Sequence, residues 1–271
     1  MDKARIAAAN YHYKRYTLEA FLKAAAETGY TSLELWASGP HLHLEDFDNA
    51  RLTQLRRNIR AMGLAVRCLT PEQYVYPISV SHPDPAYRRR SREFFARHIE
   101  AAALLECGMM VVSTGISYLD VPREDAWKWC VENLESLARV AEREGVTLAL
   151  EAFTRYSTHV LRTASDVAAM IDEIGSARLG AVIDVDVIAN SGLESLDEYI
   201  PGIGNRLQHV HFVDGNPGGH LIPGDGVLDM PHALAAIEAT GYTGLYAMEL
   251  LDRRYVMEPK AALAAYLAWF A

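Results

Sequence analysis

The segment 209–226, which reads HVHFVDGNPGGHLIPGDG, concentrates side chains that bind metal ions and carry protons. His209 and His211 are separated by one residue in an apolar run, and a glycine- and proline-rich loop then carries His220 and two aspartates. Alternate residues of a strand share a face, so the first two histidines should point to the same side. Imidazoles bind divalent cations and titrate near neutral pH. The segment is therefore a candidate metal and proton-transfer site.

Three other apolar runs end in carboxylates that need a counter-charge. Glu151 follows TLAL, Asp184 follows LGAVI and Glu249 follows LYAM. A carboxylate among apolar strand residues is costly unless it is paired or bound to a cation. Arg67 is the only clear cation in the predicted strands. A divalent ion neutralises three carboxylates directly, and a Glu₂-Asp-His set suits Mn²⁺, with Co²⁺, Ni²⁺, Mg²⁺ or Zn²⁺ as alternatives.

The two neighbouring histidines are expected to have different roles. His211 lies nearer the carboxyl end of its strand and is predicted to be the fourth ligand, whereas His209 should lie one layer deeper and support it. Asp186 and Asp214 follow two of these runs and could either support the ligands or organise loops. His220 is expected in a loop that folds over the metal.

These residues require a scaffold that brings four strand ends together. Eight β-rich runs alternate with helical patterns, and glycines precede six of the runs at positions suited to helix C-termini, namely Gly29, Gly63, Gly108, Gly145, Gly175 and Gly241. Thr163 and Asp166 have the spacing of a capping box. This pattern predicts an α/β fold, a (β/α)8 TIM barrel forming a single domain over residues 1–271, with its active site at the carboxyl ends of the strands.

A doubly wound open sheet is the alternative fold. It would normally have fewer strands and often a glycine-rich phosphate turn after the first strand. The residues that follow the first predicted strand, NYHYKRY, contain no glycine. The barrel is therefore the preferred prediction.

The amino-acid composition restricts the binding partners and the cellular compartment that we expect for this protein. The net charge of −9 disfavours nucleic acid as a partner, and the basic run YRRRSREFFARH is interpreted as the solvated face of a helix that buries Phe94, Phe95 and Ile99. Three unclustered cysteines suggest a reducing environment, and no apolar run has membrane-spanning length. We expect a cytoplasmic protein that binds a small molecule, not a membrane.

Several motifs in the predicted loops resemble those of a known protein family, and the resemblance extends over essentially the whole chain. They are HYKRYTLEAF with His12, ELWASGPH with Trp36 and His41, TPEQYVYP with Glu72 and Tyr76, HLIPGDG with His220, and ELLDRRYVMEP with Glu249, Tyr255 and Glu258. The chain resembles the xylose isomerase-like TIM barrel superfamily of sugar phosphate isomerases and epimerases. Within it, the chain is most similar to the ketose 3-epimerases, in particular the fructoselysine 3-epimerase group.

The resemblance implies an enzyme whose metal ligands are Glu151, Asp184, His211 and Glu249. It further implies a divalent-metal-dependent 3-epimerase, acting on a ketose or a fructosamine-type conjugate through a cis-enediolate, with Glu151 and Glu249 as acid and base. Barrels of this kind commonly form dimers or tetramers, so a homo-oligomer is expected. The expected substrate-binding residues are His12, Trp36, His41, Glu72, Tyr76, Tyr118, Ser157, His209, His220 and Tyr255.

At three positions the chain has a different residue from the one usual in the 3-epimerases that it resembles. Ser157 stands where sugar 3-epimerases often have a glutamate that contacts the O1/O2 end of the substrate. Val187 and Leu221 stand where free-ketohexose epimerases tend to have a histidine and an arginine. The missing histidine and arginine argue against a simple ketohexose as the substrate.

The same metal site leaves other reactions open. Returning the proton to the neighbouring carbon gives aldose–ketose isomerisation. If the enediolate instead expels a β-substituent, the reaction is an elimination and the enzyme is a lyase. Examples are an inosose dehydratase and an enzyme that eliminates an aglycone from a 3-keto-glycoside. An endonuclease IV-like phosphodiesterase is disfavoured because such three-metal sites need more histidines and the acidic chain would repel DNA.

Overall fold

A computed structural model describes residues 1–74, 78–216 and 218–271. Its sheet is a closed barrel in which every strand pairs in parallel with its sequence neighbours and β1 closes the ring against β8. The predicted TIM barrel is confirmed. The strands are β1 (Ile6–Ala9), β2 (Ser32–Ala37), β3 (Ala65–Pro71), β4 (Met109–Ser113), β5 (Thr147–Glu151), β6 (Leu179–Asp184), β7 (Leu207–His211) and β8 (Tyr246–Ala247).

Helices follow or connect the strands around the barrel. Within the described residues they are α1 (Leu18–Thr28), α2 (Asn49–Ala61), α3 (Pro85–Leu104), α4 (Arg123–Glu144), α5 (Ala164–Ile174), α6 (Val185–Ser191), α7 (Leu196–Ile203), α8 (Met230–Glu238) and α9 (Pro259–Trp269). None of these helices is long and apolar enough to cross a bilayer. Short 3₁₀ turns cover Lys3–Arg5, Tyr11–Tyr13, Leu44–Asp46, Gly204–Arg206 and Arg253–Tyr255.

Local sequence signals explain most helix ends. Thr163 and Asp166 form the predicted capping box at the start of α5. Gly145 ends α4 in the left-handed conformation, with φ +73°, as expected for a helix C-terminus. The prediction for Gly108 was wrong, because the left-handed residue after α3 is Glu106, with φ +55°, so that the turn is complete before the glycine is reached.

The apolar core has two layers. Inside the barrel, Cys68, Val111, Ala149 and Val182 pack against one another. A larger layer fills the space between strands and helices and includes Phe95 and other fully buried side chains of α3. The basic run therefore lies on an amphipathic helix, as predicted. This packed interior leaves the carboxyl ends of the strands free to carry polar groups.

Candidate active site

The four predicted metal ligands lie together at one end of the barrel. Glu151, Asp184 and His211 are the last residues of β5, β6 and β7, and Glu249 lies two residues beyond β8. One ligand atom from each residue lies within 4.8 Å of the others. Strand ends of a parallel barrel meet at the same rim, so neighbouring strands bring these side chains to a common point.

The Nδ1 atom of His211 is the centre of this cluster. It lies 2.9 Å from Oε1 of Glu151 and 2.8 Å from Oε2 of Glu249. The Oδ2 atom of Asp184 is 3.5 Å from the same nitrogen. Three carboxylate oxygens and one imidazole nitrogen therefore face a shared space.

Asp184 provides a test of whether this cluster fits a metal ion. Its Oδ1 atom accepts a hydrogen bond from the backbone N–H of Val187 (2.8 Å), at the start of α6. Its Oδ2 atom is buried, and neither Nε2 of His220 (3.3 Å) nor Nδ1 of His211 (3.5 Å) forms a hydrogen bond of good geometry with it. A buried carboxylate oxygen without a donor is costly, and a cation relieves that cost. The donor set, with oxygen dominant and one imidazole, suits a divalent ion such as Mn²⁺ or Co²⁺.

The electrostatics of the cluster follow from burial and proximity. Burial raises the pKa of Glu151 to about 7. Burial acts to lower the pKa of His211, but the carboxylates of Glu34, Glu249 and Glu151 raise it well above its ordinary value. Glu151 therefore titrates in the range in which a carboxyl group can both take up and release a proton at neutral pH.

Glu34 on β2 is a functional candidate that our sequence analysis missed. Its carboxylate is fully buried and contacts the Nε2 atoms of His209 (2.7 Å) and His211 (3.1 Å). It also accepts hydrogen bonds from the hydroxyls of Tyr11 (3.1 Å) and Thr70 (2.9 Å). The available signal was the one that identified Glu151, a carboxylate inside an apolar strand. His209 is thus connected to His211 through this carboxylate.

The loop after β7 is organised by the two aspartates whose roles the sequence left open. Asp214 accepts hydrogen bonds from four backbone N–H groups, those of Gly215, Gly224, Gly226 and Leu228. The loop thus folds back on the strand end.

Asp186 holds the neighbouring part of the same loop. It accepts from the N–H groups of Gly218 (2.7 Å) and His220 (3.1 Å), and its Oδ2 atom lies 3.0 Å from Nδ1 of His220. This places Nε2 of His220 3.3 Å from Oδ2 of Asp184. His220, with φ +49°, therefore lies beside the cluster of predicted metal ligands.

A cavity of about 340 Å³ opens above the cluster. Glu151 and Glu249 form part of its floor, and aromatic and neutral side chains form much of its wall. Among the described lining residues, acidic groups outnumber basic ones and neither lysine nor arginine occurs. The lining consists of Tyr11, Trp36, Thr70, Pro71, Glu72, Gln73, Tyr74, Glu151, Phe153, Thr154, Ser157, Val187, Asn190, His220, Glu249 and Leu251.

A larger cavity, of about 810 Å³, lies between the loop after β2 and helix α3. It shares Glu72 with the first cavity, but the described residues that line it include none of the four clustered ligands. The smaller cavity is therefore the candidate active site, because, of these two cavities, it is the one whose described lining includes Glu151 and Glu249.

Some of the predicted substrate-binding residues line the cavity and others do not. Trp36, Glu72, Ser157 and His220 line the cavity. Ser157 is nearly buried, and its hydroxyl is hydrogen-bonded to that of Tyr74 at 3.0 Å. Tyr76 lies outside the described residues.

The other predicted substrate-binding residues are not among the described residues that line the cavity. His12 is buried against the carbonyl of Pro259 (3.2 Å), and His41 contacts Asn10 and the carbonyl of Tyr16. In the loops, Tyr255 donates to Asp225, and Tyr118 is half exposed with its ring against His82. His209 lies deeper, next to Glu34.

Comparison with known proteins is consistent with this geometry. A family profile described as "Xylose isomerase-like TIM barrel" matches residues 22–271. The chain therefore belongs to the xylose isomerase-like TIM barrel family, and the predicted family is confirmed.

Among individual relatives, the chain is similar to fructoselysine 3-epimerase of Shigella flexneri, with 28% identity over 250 residues that cover 92% of this chain and 90% of the relative. It is also similar to D-psicose 3-epimerase of Agrobacterium fabrum (strain C58), with 24% identity over 84% of this chain and 78% of the relative. The crystal structure of a D-psicose 3-epimerase in the presence of D-fructose superposes with a TM-score of 0.80, 20% identity and 98% coverage of both chains. The predicted enzyme class, a sugar epimerase-like protein, is thus supported by named relatives over most of their length.

Proposed function

We propose that this protein is a divalent-metal-dependent 3-epimerase of a ketose or of a fructosamine-type conjugate similar to fructoselysine. The observation that carries the proposal is the approach of Glu151 and Glu249 to one imidazole nitrogen, at 2.9 and 2.8 Å, in a cavity that both residues line. The similarity to fructoselysine and psicose 3-epimerases supports the same reaction.

The proposed chemistry uses the two glutamates as a proton-transfer pair. One carboxylate takes the C3 proton, and the electrons of the broken C–H bond form the C2–C3 double bond of a cis-enediolate. The other carboxyl group returns a proton to the opposite face of C3, which inverts that carbon. A divalent ion held by Glu151, Asp184, His211 and Glu249 would stabilise negative charge on the oxygen atoms of the substrate.

The charge of the cavity supports an uncharged or amine-bearing substrate. Glu72, Glu151 and Glu249 line the cavity, and His220 is the one basic side chain among its described lining residues. A phosphate group would therefore meet carboxylates without a lysine or arginine to bind it. We propose that Trp36, Glu72, Ser157 and His220 contact the substrate directly, and that Mn²⁺ is the metal.

Proton exchange in D₂O tests this function. The Mn²⁺-loaded protein should incorporate deuterium at C3 of D-fructose or of an N-alkyl fructosamine and produce the C3 epimer, as followed by mass spectrometry and NMR. The fructosamine should react faster, and fructose 6-phosphate should not react. Release of a leaving group instead of inversion would identify a lyase. Sugar binding without any exchange would refute the enediolate mechanism.

We also propose that the protein is a cytoplasmic homo-oligomer. Its three cysteines are free and buried, which suits a reducing compartment. The loops after β4 and β5 expose large apolar side chains, including Tyr118, Leu119 and Tyr156. Light scattering coupled to size-exclusion chromatography should give a mass at least twice 30.1 kDa, and a monomer mass at micromolar concentration would refute the oligomer.

A further inference from the structure

Glu34 is a buried carboxylate to which the proposed proton transfer gives no role. It lies on β2, which precedes the four ligand-bearing strands β5 to β8 in the sequence. Its side chain is inaccessible to solvent. Its Oε2 atom contacts Nε2 of His209 at 2.7 Å. Its Oε1 atom contacts Nε2 of His211 at 3.1 Å and accepts from the hydroxyls of Tyr11 and Thr70. Both oxygens are therefore fully engaged.

The ring of His211 connects this carboxylate to the metal-ligand cluster. One ring nitrogen, Nε2, faces Glu34, and the other, Nδ1, faces Glu151 and Glu249. An ionised carboxylate can only accept hydrogen bonds, so Nε2 must carry a proton in order to bond to Glu34. Nδ1 also faces carboxylates, but a cation held between them and Nδ1 would take the place of a proton on that nitrogen and leave the ring neutral. A neutral imidazole has one N–H, which leaves its lone pair on the opposite nitrogen.

We propose that Glu34 is a positioning residue that fixes both the tautomer and the ring orientation of His211. It keeps the proton on Nε2 and so directs the lone pair of Nδ1 towards the space shared by the three ligand carboxylates. His209 holds the second oxygen of Glu34 and prevents the carboxylate from rotating away. The inference deepens the proposed function and rests on its use of a metal ion.

The arrangement explains why three more polar groups are buried beneath the cavity. Tyr11, Thr70 and His209 come from three different parts of the chain, and each donates to Glu34. Their hydrogen bonds hold the carboxylate in place without solvent. A carboxylate such as Glu34, which bonds directly to a metal-bound histidine, orients the ring, and its removal typically weakens metal binding by about 10- to 100-fold.

The wild-type protein provides the first test. The full chain, labelled with ¹⁵N at histidine and loaded with diamagnetic Zn²⁺, should give a spectrum in which His211 carries its proton on Nε2 and binds through Nδ1. The signal is assigned by its loss in His211→Gln. A proton on Nδ1 would overturn the role of Glu34 and leave the proposed epimerase untouched, since that function is read from C3 exchange. A chain that binds no Zn²⁺ would overturn the metal site, and this inference with it.

The second test compares two variants that remove different parts of the same network. Glu34→Gln should weaken Zn²⁺ binding about 10- to 100-fold in a chelator competition assay. Thr70→Val is the matched control, because it removes one hydrogen bond to Glu34 without touching His211, and its Zn²⁺ affinity should change much less. Equal Zn²⁺ affinity in folded Glu34→Gln and wild type would contradict the proposal. Should Glu34→Gln fail to fold, the wild-type spectrum decides.

Discussion

The Oε2 atom of Glu249 lies 2.8 Å from Nδ1 of His211, although β8 already ends at Ala247. The residues on either side of the glutamate, Met248 and Leu250, are fully buried, and this apolar packing holds the irregular backbone that presents the carboxylate. The side chain of Glu249 is 16% exposed, compared with 7% for Glu151. Glu249 is thus the ligand carboxylate most accessible from the cavity.

Glu249→Gln should lower kcat by about a hundredfold or more, because the amide cannot accept the C3 proton. The metal-free variant should remain folded, since the change keeps the size of the side chain and removes one of several clustered negative charges. Steady-state kinetics and chemical denaturation measure the two effects.

Asp252→Asn is the matched control for that variant. Asp252 lies three residues further along the same loop, and its Oδ1 atom accepts from the N–H of Arg254 outside the cavity. We expect its kcat to stay near the wild-type value. Equal activity of both variants would remove Glu249 from proton transfer.

Chelation should abolish turnover, and added Mn²⁺ should restore it. Because the ion binds a cluster that exists only in the folded chain, it should also raise the free energy of unfolding, by about 2.7 kcal/mol at a concentration 100 times Kd. Asp184→Asn replaces the carboxylate whose Oδ2 atom accepts no hydrogen bond of good geometry from the described residues, so it should lose most of this stabilisation. Thermal denaturation with and without Mn²⁺ measures it. Full activity after exhaustive chelation would exclude a metal-dependent reaction.

Asp214→Asn should destabilise the protein and impair catalysis together. An asparagine has only one acceptor oxygen, so about half of the four backbone N–H groups now bound by Asp214 would lose their partner. The expected loss is on the order of 3 kcal/mol in the free energy of unfolding. Since the same loop carries His220, KM should rise as well. Urea denaturation and kinetics test both effects, and Asp229→Asn, at the start of α8, serves as a control outside the loop.

The pH dependence of stability should reveal a buried neutral histidine on α3. Burial lowers the pKa of His98 to about 4, from about 6.5 in an unfolded chain. Between these values the unfolded state binds more protons, so stability is complete above pH 6.5 and declines as the pH falls towards 4. His98 alone accounts for a loss of roughly 3 kcal/mol over that window.

His98→Gln should therefore flatten the decline in unfolding free energy between pH 6.5 and 4. The glutamine amide can still donate to the carbonyl of Phe94, which His98 Nδ1 contacts at 2.8 Å, but it does not titrate in this range. Denaturation at several pH values measures the slope. His43→Gln, which changes an exposed imidazole, is the control. Identical slopes for wild type and His98→Gln would show that His98 is not buried in its neutral form.

The barrel and the strand-end ligands could be predicted because their signals are local. The alternation of apolar runs with helical patterns identified the strands, and Gly145 and the Thr163 capping box marked helix boundaries that the structure retains. The positions of Glu151 and Asp184 at strand ends follow from the same pattern. Parallel topology then brings the ends together, whatever the loops do.

The loop residues were less predictable. His41 and Tyr255 are predicted to bind the substrate, and the structure shows both hydrogen-bonded to other loop residues, His41 to Asn10 and the carbonyl of Tyr16, and Tyr255 to Asp225. In irregular backbone the direction of a side chain has no period, so it depends on which distant groups pack against it.

By itself, the sequence determined the order of the strands, the helix boundaries at Gly145 and Thr163, and the three acids and one imidazole at the ends of neighbouring strands. Only the tertiary structure decided that Glu34 supports His211, because those residues are 177 positions apart and lie on strands that are not neighbours in the sheet. Their contact exists only when the barrel closes and its inward-facing side chains meet across the interior. A hydrogen bond of that kind leaves no periodicity in the chain from which it could be predicted.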